Sequence, residues 1–266
     1  MHTLRCLGAS ALLVCLPASG AFAQSLRDRV WVSVNAGIQV RGEDVSDRFE
    51  FERSVETATV EVDYEANSGV FFDGGIGVLL WKRLGAAVAF SRVTRDGSAQ
   101  VEARIPHPFF DNRHREISGT ADSVTRSDTG IHMQATVTAD AGDSLIVILS
   151  GGPSYLRLEQ DLVSGVRYAE SFPFDEATFT AADLTRSSGS ALGFNAGADI
   201  IWMAGRQWGI GGLVRYTRAT VDLDTSDGRT ISTRAGGKFG SLFKQASKPS
   251  LAFAYNLCRA FSFAFR

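Results

Sequence analysis

The chain has 266 residues, 44% of them hydrophobic, and a formal net charge of −2. That length suits one β domain of ordinary size. The charge provides no basic field of the kind that draws a protein to nucleic acid, so nucleic-acid binding is excluded as a leading reading.

The N-terminus reads as a secretory signal. Arg5 gives a positive start, Cys6 to Leu16 an apolar stretch, and Ala21-Phe22-Ala23 a small-residue cleavage site. The expected division is a signal peptide over 1–23, a barrel domain over 24–243, and an atypical segment over 244–266 that could supply a final strand. Cleavage near Ala23 removes Cys6 and Cys15 and leaves Cys258 alone, so no internal disulfide or cysteine metal site is expected. Beyond Ala23 no apolar run approaches the roughly 20 residues of a spanning helix. A closed β-barrel is the other structure that crosses a bilayer with its backbone fully paired.

Period-two alternation then dominates. Val30, Val32, Val34, Ala36, Ile38 and Val40 alternate with Ser33, Asn35, Gly37 and Gln39, which places the two sets on opposite faces of a strand. The pattern returns in Phe72 to Leu80, Ala86 to Ser91, Ile131 to Thr138, Leu192 to Ile200 and Trp208 to Thr217. Over Leu145 to Leu158 it is less regular, with Pro153 after Gly151-Gly152. A proline cannot donate to a ladder, so a bulge is expected there. That bulge would switch parity, turning Leu156 and Leu158 outward and Arg157 and Glu159 inward.

Connections alternate in length. Short links fall at 81–83, 139–143 and 203–207, and long polar ones at 41–68, 94–126 and 160–188, with 224–228 closing the last hairpin. Outer-membrane barrels have short periplasmic turns and longer extracellular loops. Trp31, Trp81, Trp202 and Trp208 all fall at the expected periplasmic ends, as a membrane-interface girdle would place them. Trp31, on the polar parity of its strand, supports this less well. The polar parity is otherwise rich in Gly, Ala, Ser and Asn, and Lys82 is the sole lysine before position 238. A solvated outer face would carry many more charges, so the apolar face is assigned to lipid rather than to the inside of a lipocalin-like barrel.

Several stretches carry a family resemblance: Gly74 to Ser91 (GGIGVLLWKRLGAAVAFS), Ile105 to Phe110 (IPHPFF), Gly151 to Val163 (GGPSYLRLEQDLV), Gly193 to Ile200 (GFNAGADI) and Arg215 to Leu223 (RYTRATVDL). Over roughly Val30 to Gly237 the chain resembles outer-membrane β-barrel-domain proteins of the OmpA/OmpX-like, small-porin-like type. The resemblance implies an outer-membrane location and no enzymatic role. The C-terminus departs from the family, whose last strand follows a Gly-Gly closely and ends in an aromatic. Here the chain continues to Arg266. From Gly228 onward it has no Asp or Glu, and it carries Lys238, Lys244 and Lys248. Two hypotheses account for the shift: a change of reading frame near Lys238, or an unusual authentic strand in which Leu251, Phe253, Tyr255, Leu257, Phe261, Phe263 and Phe265 alternate with small residues. The same frame in an independent isolate would remove the first.

In an eight-stranded barrel side chains fill the interior. The inward polar set is Asn35, Gln39, Asp73, His132, Gln134, Asn195, Asp199 and Arg215, and an ion pair between Asp73 and Arg215 is expected. The set reads as a structural plug, or else as the lining of a narrow gated pore. For lipid-modifying chemistry His132 would need a nucleophile, yet Ser127 has the opposite parity, Asp128 lies four residues away, and no G-x-S-x-G is present. His107, His114 and Asp111 share one long link and read as solvated loop residues rather than metal ligands. Ile105 to Phe110, with Pro106 and Pro108, reads either as an exposed hydrophobic knob for a partner or as a loop packed over the barrel mouth.

The sequence therefore predicts an all-β, antiparallel, up-and-down transmembrane barrel of about eight strands in the outer membrane. No catalytic, metal or cofactor residues are expected. Expected partners are outer-membrane lipid and the barrel-assembly machinery, with any extracellular partner unidentified. The expected role is structural or surface interaction, ahead of a small porin and a lipid-modifying enzyme.

Overall fold

The computed structural model describes residues 29–39, 45–53, 55–142, 144–205, 208–225 and 228–247. The expected leader and the alternation Leu251 to Phe265 lie outside the described residues. Ten strands are described: β1 (Val30–Gln39), β2 (Val45–Arg53), β3 (Glu56–Ala66), β4 (Gly69–Trp81), β5 (Leu84–Pro106), β6 (His114–Asp140), β7 (Leu145–Glu170), β8 (Ala177–Met203), β9 (Trp208–Asp224) and β10 (Thr230–Ser247).

Eight of them close a ring in the order β1-β4-β5-β6-β7-β8-β9-β10, with antiparallel ladders between β1 and β10 and between β5 and β6 completing the circle. The β2–β3 hairpin extends the wall. β4 pairs with the lower part of β5 up to Val70↔Thr94, and β3 then takes over along the upper part, from Ala66↔Gly97 to Thr59↔Arg104. β10 crosses Lys238, where the composition changes. It stays paired with β9 as far as Ser247↔Trp208 and with β1 as far as Ser247↔Val32.

The long polar links expected over 94–126 and 160–188, and most of 41–68, are strand rather than loop. β5 to β8 run for 23, 27, 26 and 27 residues, whereas crossing a hydrocarbon layer takes only about 9–11 residues of tilted strand. The reason is visible in β5. Above Ser91 the inward residues are Val93, Arg95, Ala99, Val101, Ala103 and Ile105, apolar apart from Arg95, and the outward ones are Arg92, Thr94, Asp96, Gln100, Glu102 and Arg104. That alternation belongs to a water-soluble sheet, and a polar composition conceals it.

Two regimes therefore share each long strand. In the lower half the outward face is apolar: Val88 and Phe90 on β5, Ile131 and Met133 on β6, Leu192 and Phe194 on β8, Ile210 and Val214 on β9, all exposed. Its inward face carries Asn35, Asp73, His132, Asn195 and Arg215, all buried. In the upper half the chemistry exchanges while the parity of β9 stays constant. Inward Arg215 and Thr217 give way to Ala219, Val221 and Leu223, and outward Val214 and Tyr216 give way to Arg218, Thr220 and Asp222. The upper half is thus an extension with its own apolar core, in which Phe49, Val60, Val62, Val101, Ile105, Leu158, Leu162, Val221 and Leu223 pack together.

β7 departs from expectation. No parity switch occurs at Pro153, because Gly151↔Ala135 below it and Tyr155↔Ile131 beyond it keep the same register. The missing donor is absorbed by an interruption of the β6–β7 ladder between Ser154 and Gly151, while Pro153 keeps its place opposite Phe194 on β8. Leu156 and Leu158 consequently face inward into the extension core, and Arg157 and Glu159 face outward.

Two predictions follow from this core. Leu158 has no exposed surface, so Leu158→Ala should destabilise the extension by about 2–5 kcal/mol, read as faster proteolysis of the extension in detergent-folded protein. An outward Leu158 would show almost no effect. Tyr64 Oη accepts the Val163 N–H at 2.8 Å across the interior, and burial pushes its pKa up from 10.0 to about 12. Unfolded, the phenol ionises near 10. Native protein therefore holds more protons between pH 10 and 12, and stability falls as pH rises through that window, by roughly 2–3 kcal/mol. Tyr64→Phe should flatten this slope while costing about 1 kcal/mol at neutral pH. An equal alkaline loss in the variant would assign the slope to another group.

Candidate functional site: a filled bore and an aromatic tip

The bore starts with apolar residues at the short-turn end. Ile148 and Ile201 are buried there, with Trp31, Ile146 and Met203 packed against them. This corrects the expected place of Trp31 in the girdle: its indole points inward. Gly77 leaves room for it, since a Cβ there would come within 2.2 Å of the ring. Trp81, Trp202 and Trp208 do face outward at that end, at 70%, 56% and 54% exposure.

Above this plug lies a polar layer of two hydrogen-bonded groups. In one, Asn35 Nδ2 donates to Asp73 Oδ1 at 2.7 Å and the Arg215 guanidinium pairs with the other carboxylate oxygen of Asp73. β1 and β10 stand between β4 and β9 in the ring, so this pair bridges strands that are not neighbours and crosses part of the lumen. In the other, His132 sits between Ser91 and Ser154, with Nε2 at 2.7 Å from Ser91 Oγ and Nδ1 at 2.8 Å from Ser154 Oγ. Asn195 Nδ2 donates to Ser154 Oγ at 2.8 Å, and Gln134 Nε2 donates to Asn195 Oδ1 at 2.6 Å. Asp199 is buried beside a cavity of about 20 Å³ that Trp31, Ser33, Thr136 and Arg215 also line. Such a volume holds about one water.

Two further elements cross the bore that sequence reasoning missed. Phe71 and Phe239 stack with centroids 4.8 Å apart, against Val93 and Leu213. Higher up, the Asp128 carboxylate pairs with Arg95 and with Arg126 at 3.6 Å, while Arg126 also donates to Gln160 Oε1 at 3.2 Å. The signal was present: Arg95 and Asp128 hold the inward parities of β5 and β6. Arg95 and Arg126 fall within 94–126, where a link carries no parity, whereas Asp128 shares the parity of His132 on β6.

The far end of the extension brings loops 107–113 and 171–176 together. Buried Arg115 donates to Glu170 at 2.6 Å, to the Pro106 carbonyl at 2.9 Å and to the Phe174 carbonyl at 3.2 Å. Arg113 pairs with Asp175 at 2.9 Å, and the Phe109 N–H donates to His107 Nδ1 at 3.1 Å. Around this frame Phe109 meets Phe174 edge-on at 5.5 Å, and Phe174 meets Phe172 at 6.1 Å. Phe109, Phe110 and Phe172 are exposed. The stretch Ile105 to Phe110 thus divides: Ile105, Pro106 and His107 are buried in the cap, and Phe109 and Phe110 face solvent. His107 faces Asp175, whereas His114 and Asp111 are exposed. Among the described residues no group of three His, Cys, Asp or Glu side chains converges as a metal site would.

A closed ring, a lipid-type outer belt and a polar interior define a transmembrane β-barrel. No protein-family model matches the chain, and no curated protein sequence does. Among solved structures the chain is similar to the outer membrane protein OprG from Pseudomonas aeruginosa, with 11% identity, a TM-score of 0.36, and coverage of 82% of this chain and 91% of that one. It is also similar to the translocator domain of autotransporter NalP from Neisseria meningitidis, with 12% identity, a TM-score of 0.24, and coverage of 86% and 94%. At these scores the barrel class rests on the geometry above.

Arg215→Ala would leave the Asp73 carboxylate buried without its cation. The expected cost is about 3–5 kcal/mol, read as a lower unfolding midpoint in micelles, with Asp73→Asn added to Arg215→Met recovering part of it. An unchanged midpoint for Arg215→Ala would show that the pair does not plug the bore.

Proposed function

We propose that this protein is a non-enzymatic outer-membrane barrel that does not conduct and that carries a rigid extracellular β-extension for surface interaction. One observation carries this reading: packed layers cross the bore at several levels, and the upper strands continue as a single cored body to an exposed aromatic tip. The export-type leader and the short turns at the tryptophan-rich end support an outer-membrane setting with the extension outside the cell. The contact surface is the tip, where Phe109, Phe110 and Phe172 stand in water on loops tied down by Arg115 and Arg113.

What favours this over a lipid-modifying enzyme is the position of His132. It is 1% exposed, both ring nitrogens are engaged by serines, and it lies inside the bore rather than on the lipid face. What favours it over a small porin is the filling described above, since ions need a water-lined path.

The deciding experiment is conductance of the refolded protein in planar bilayers. Insertion without steps, with the band shift of a folded barrel on unboiled gels, is the expected result. Reproducible unit conductance would replace the proposal with the porin reading, and Arg215→Ala should then enlarge the step.

A further inference from the structure

Three strands repeat one local pattern at the upper edge of the apolar belt. Phe90 is followed two residues on by Arg92 on β5, Tyr155 by Arg157 on β7, and Tyr216 by Arg218 on β9. All six side chains are exposed. In each case the aromatic is the last large apolar group on the outward face, and the arginine is the next outward position.

The ladders bring two of these arginines together. Arg92 stands opposite Thr129 on β6, and Thr129 stands opposite Arg157 on β7. The three share one outward row, and the two arginines are two strand spacings apart, or about 10 Å. The row directly below is Phe90, Ile131, Tyr155 and Leu192, all exposed and all apolar or aromatic. A headgroup above that row would meet two guanidinium groups and the Thr129 hydroxyl at once.

Their counter-ions are few. Among the described residues Arg92 and Arg218 are in no ion pair, and Arg157 has only Glu159, at 3.1 Å with both side chains in solvent. Exposed pairs of this type are weak and exchange readily. Arginine also suits the role better than lysine would. Its planar fork binds phosphate oxygens two at a time, and it sheds water more cheaply at an interface. Up to Gly237 the chain contains one lysine, Lys82.

We propose that Arg92, Thr129 and Arg157 form a binding site for the phosphate group of an outer-leaflet lipid, with Arg218 a separate contact of the same kind on β9. The site rests on the reading of the belt as lipid-facing. It holds the barrel at a fixed depth, because the aromatic below each arginine stays in the interface while the arginine holds the headgroup.

The test uses the full chain refolded into phosphatidylcholine bilayers, with and without phosphatidic acid, and reads the thermal unfolding midpoint from the gel band shift. Phosphatidic acid should raise the midpoint of the unmodified protein by a few degrees. R92Q/R157Q should lose at least half of that rise, and R104Q, whose charge lies higher on the extension, should keep it. An equal rise in R92Q/R157Q overturns the site. A full rise from inorganic phosphate in phosphatidylcholine alone overturns its assignment to a lipid headgroup. Absence of a band shift in phosphatidylcholine for the unmodified protein would instead strike at the barrel reading itself.

Discussion

The structure depends on one constraint: backbone groups inside hydrocarbon have no water to bond, so every strand must be paired on both sides wherever lipid surrounds it. The eight-membered ring satisfies this, and β10 is the strand that completes it, paired with β9 on one side and β1 on the other. Above the belt the constraint relaxes. There, among the described residues, β2 pairs only with β3 and stands at one end of the sheet order, which costs little where water solvates its outer edge. The hairpin is confined to the region where an open edge is tolerable.

The same boundary explains the exchange of chemistry between faces. A strand keeps its parity as it leaves the membrane, yet its surroundings invert. Lipid outside favours apolar side chains there, and water outside favours charged ones. β9 makes this exchange between Arg215 and Ala219 without a bulge. β6 carries a residue of positive φ, Ser123, and its inward set moves from odd positions at Ile117 and Ala121 to even ones at Val124, Arg126 and Asp128. The charged group of Arg95, Asp128 and Arg126 lies at this junction, where neither the polar bore below nor the apolar core above is continuous. Buried ions there add little net stability against an apolar substitute. They do fix which strands face one another, because a slip of one residue would strand a charge.

How far the sequence discloses this follows from the same logic. Alternation in the belt is strong because Gly, Ala and Ser contrast with Val, Ile and Phe. Parity and strand order alone suffice to set Asp73 and Arg215 on the same inward surface. The extension is harder to read, because its outward charges dominate the composition and its inward set includes small residues such as Ala99, Ala103 and Ala121. Leu156 and Leu158 show a second difficulty. Once Pro153 is assumed to shift the register, every residue beyond it changes face, and a ladder interruption leaves no mark in the sequence by which to tell it from a bulge. Trp31 shows a third: residue type points to the interface, parity points inward, and the space beside Gly77 decides for parity.

The extension core bears directly on what the tip can do. A loop that must order on binding gives up affinity in proportion to the freedom it loses. Here loops 107–113 and 171–176 are short, sit on strands that are paired almost to their ends, and are joined by the contacts of one buried arginine, Arg115. The exposed rings are thus held in place before any partner arrives. The apolar packing beneath them connects by way of Ile105 and Leu158 to the level of the charged junction, which in turn rests on the filled bore. On the function proposed here, plugging the barrel and presenting a rigid surface are consequences of the same packing, since a bore filled to support that column offers ions no water-lined path.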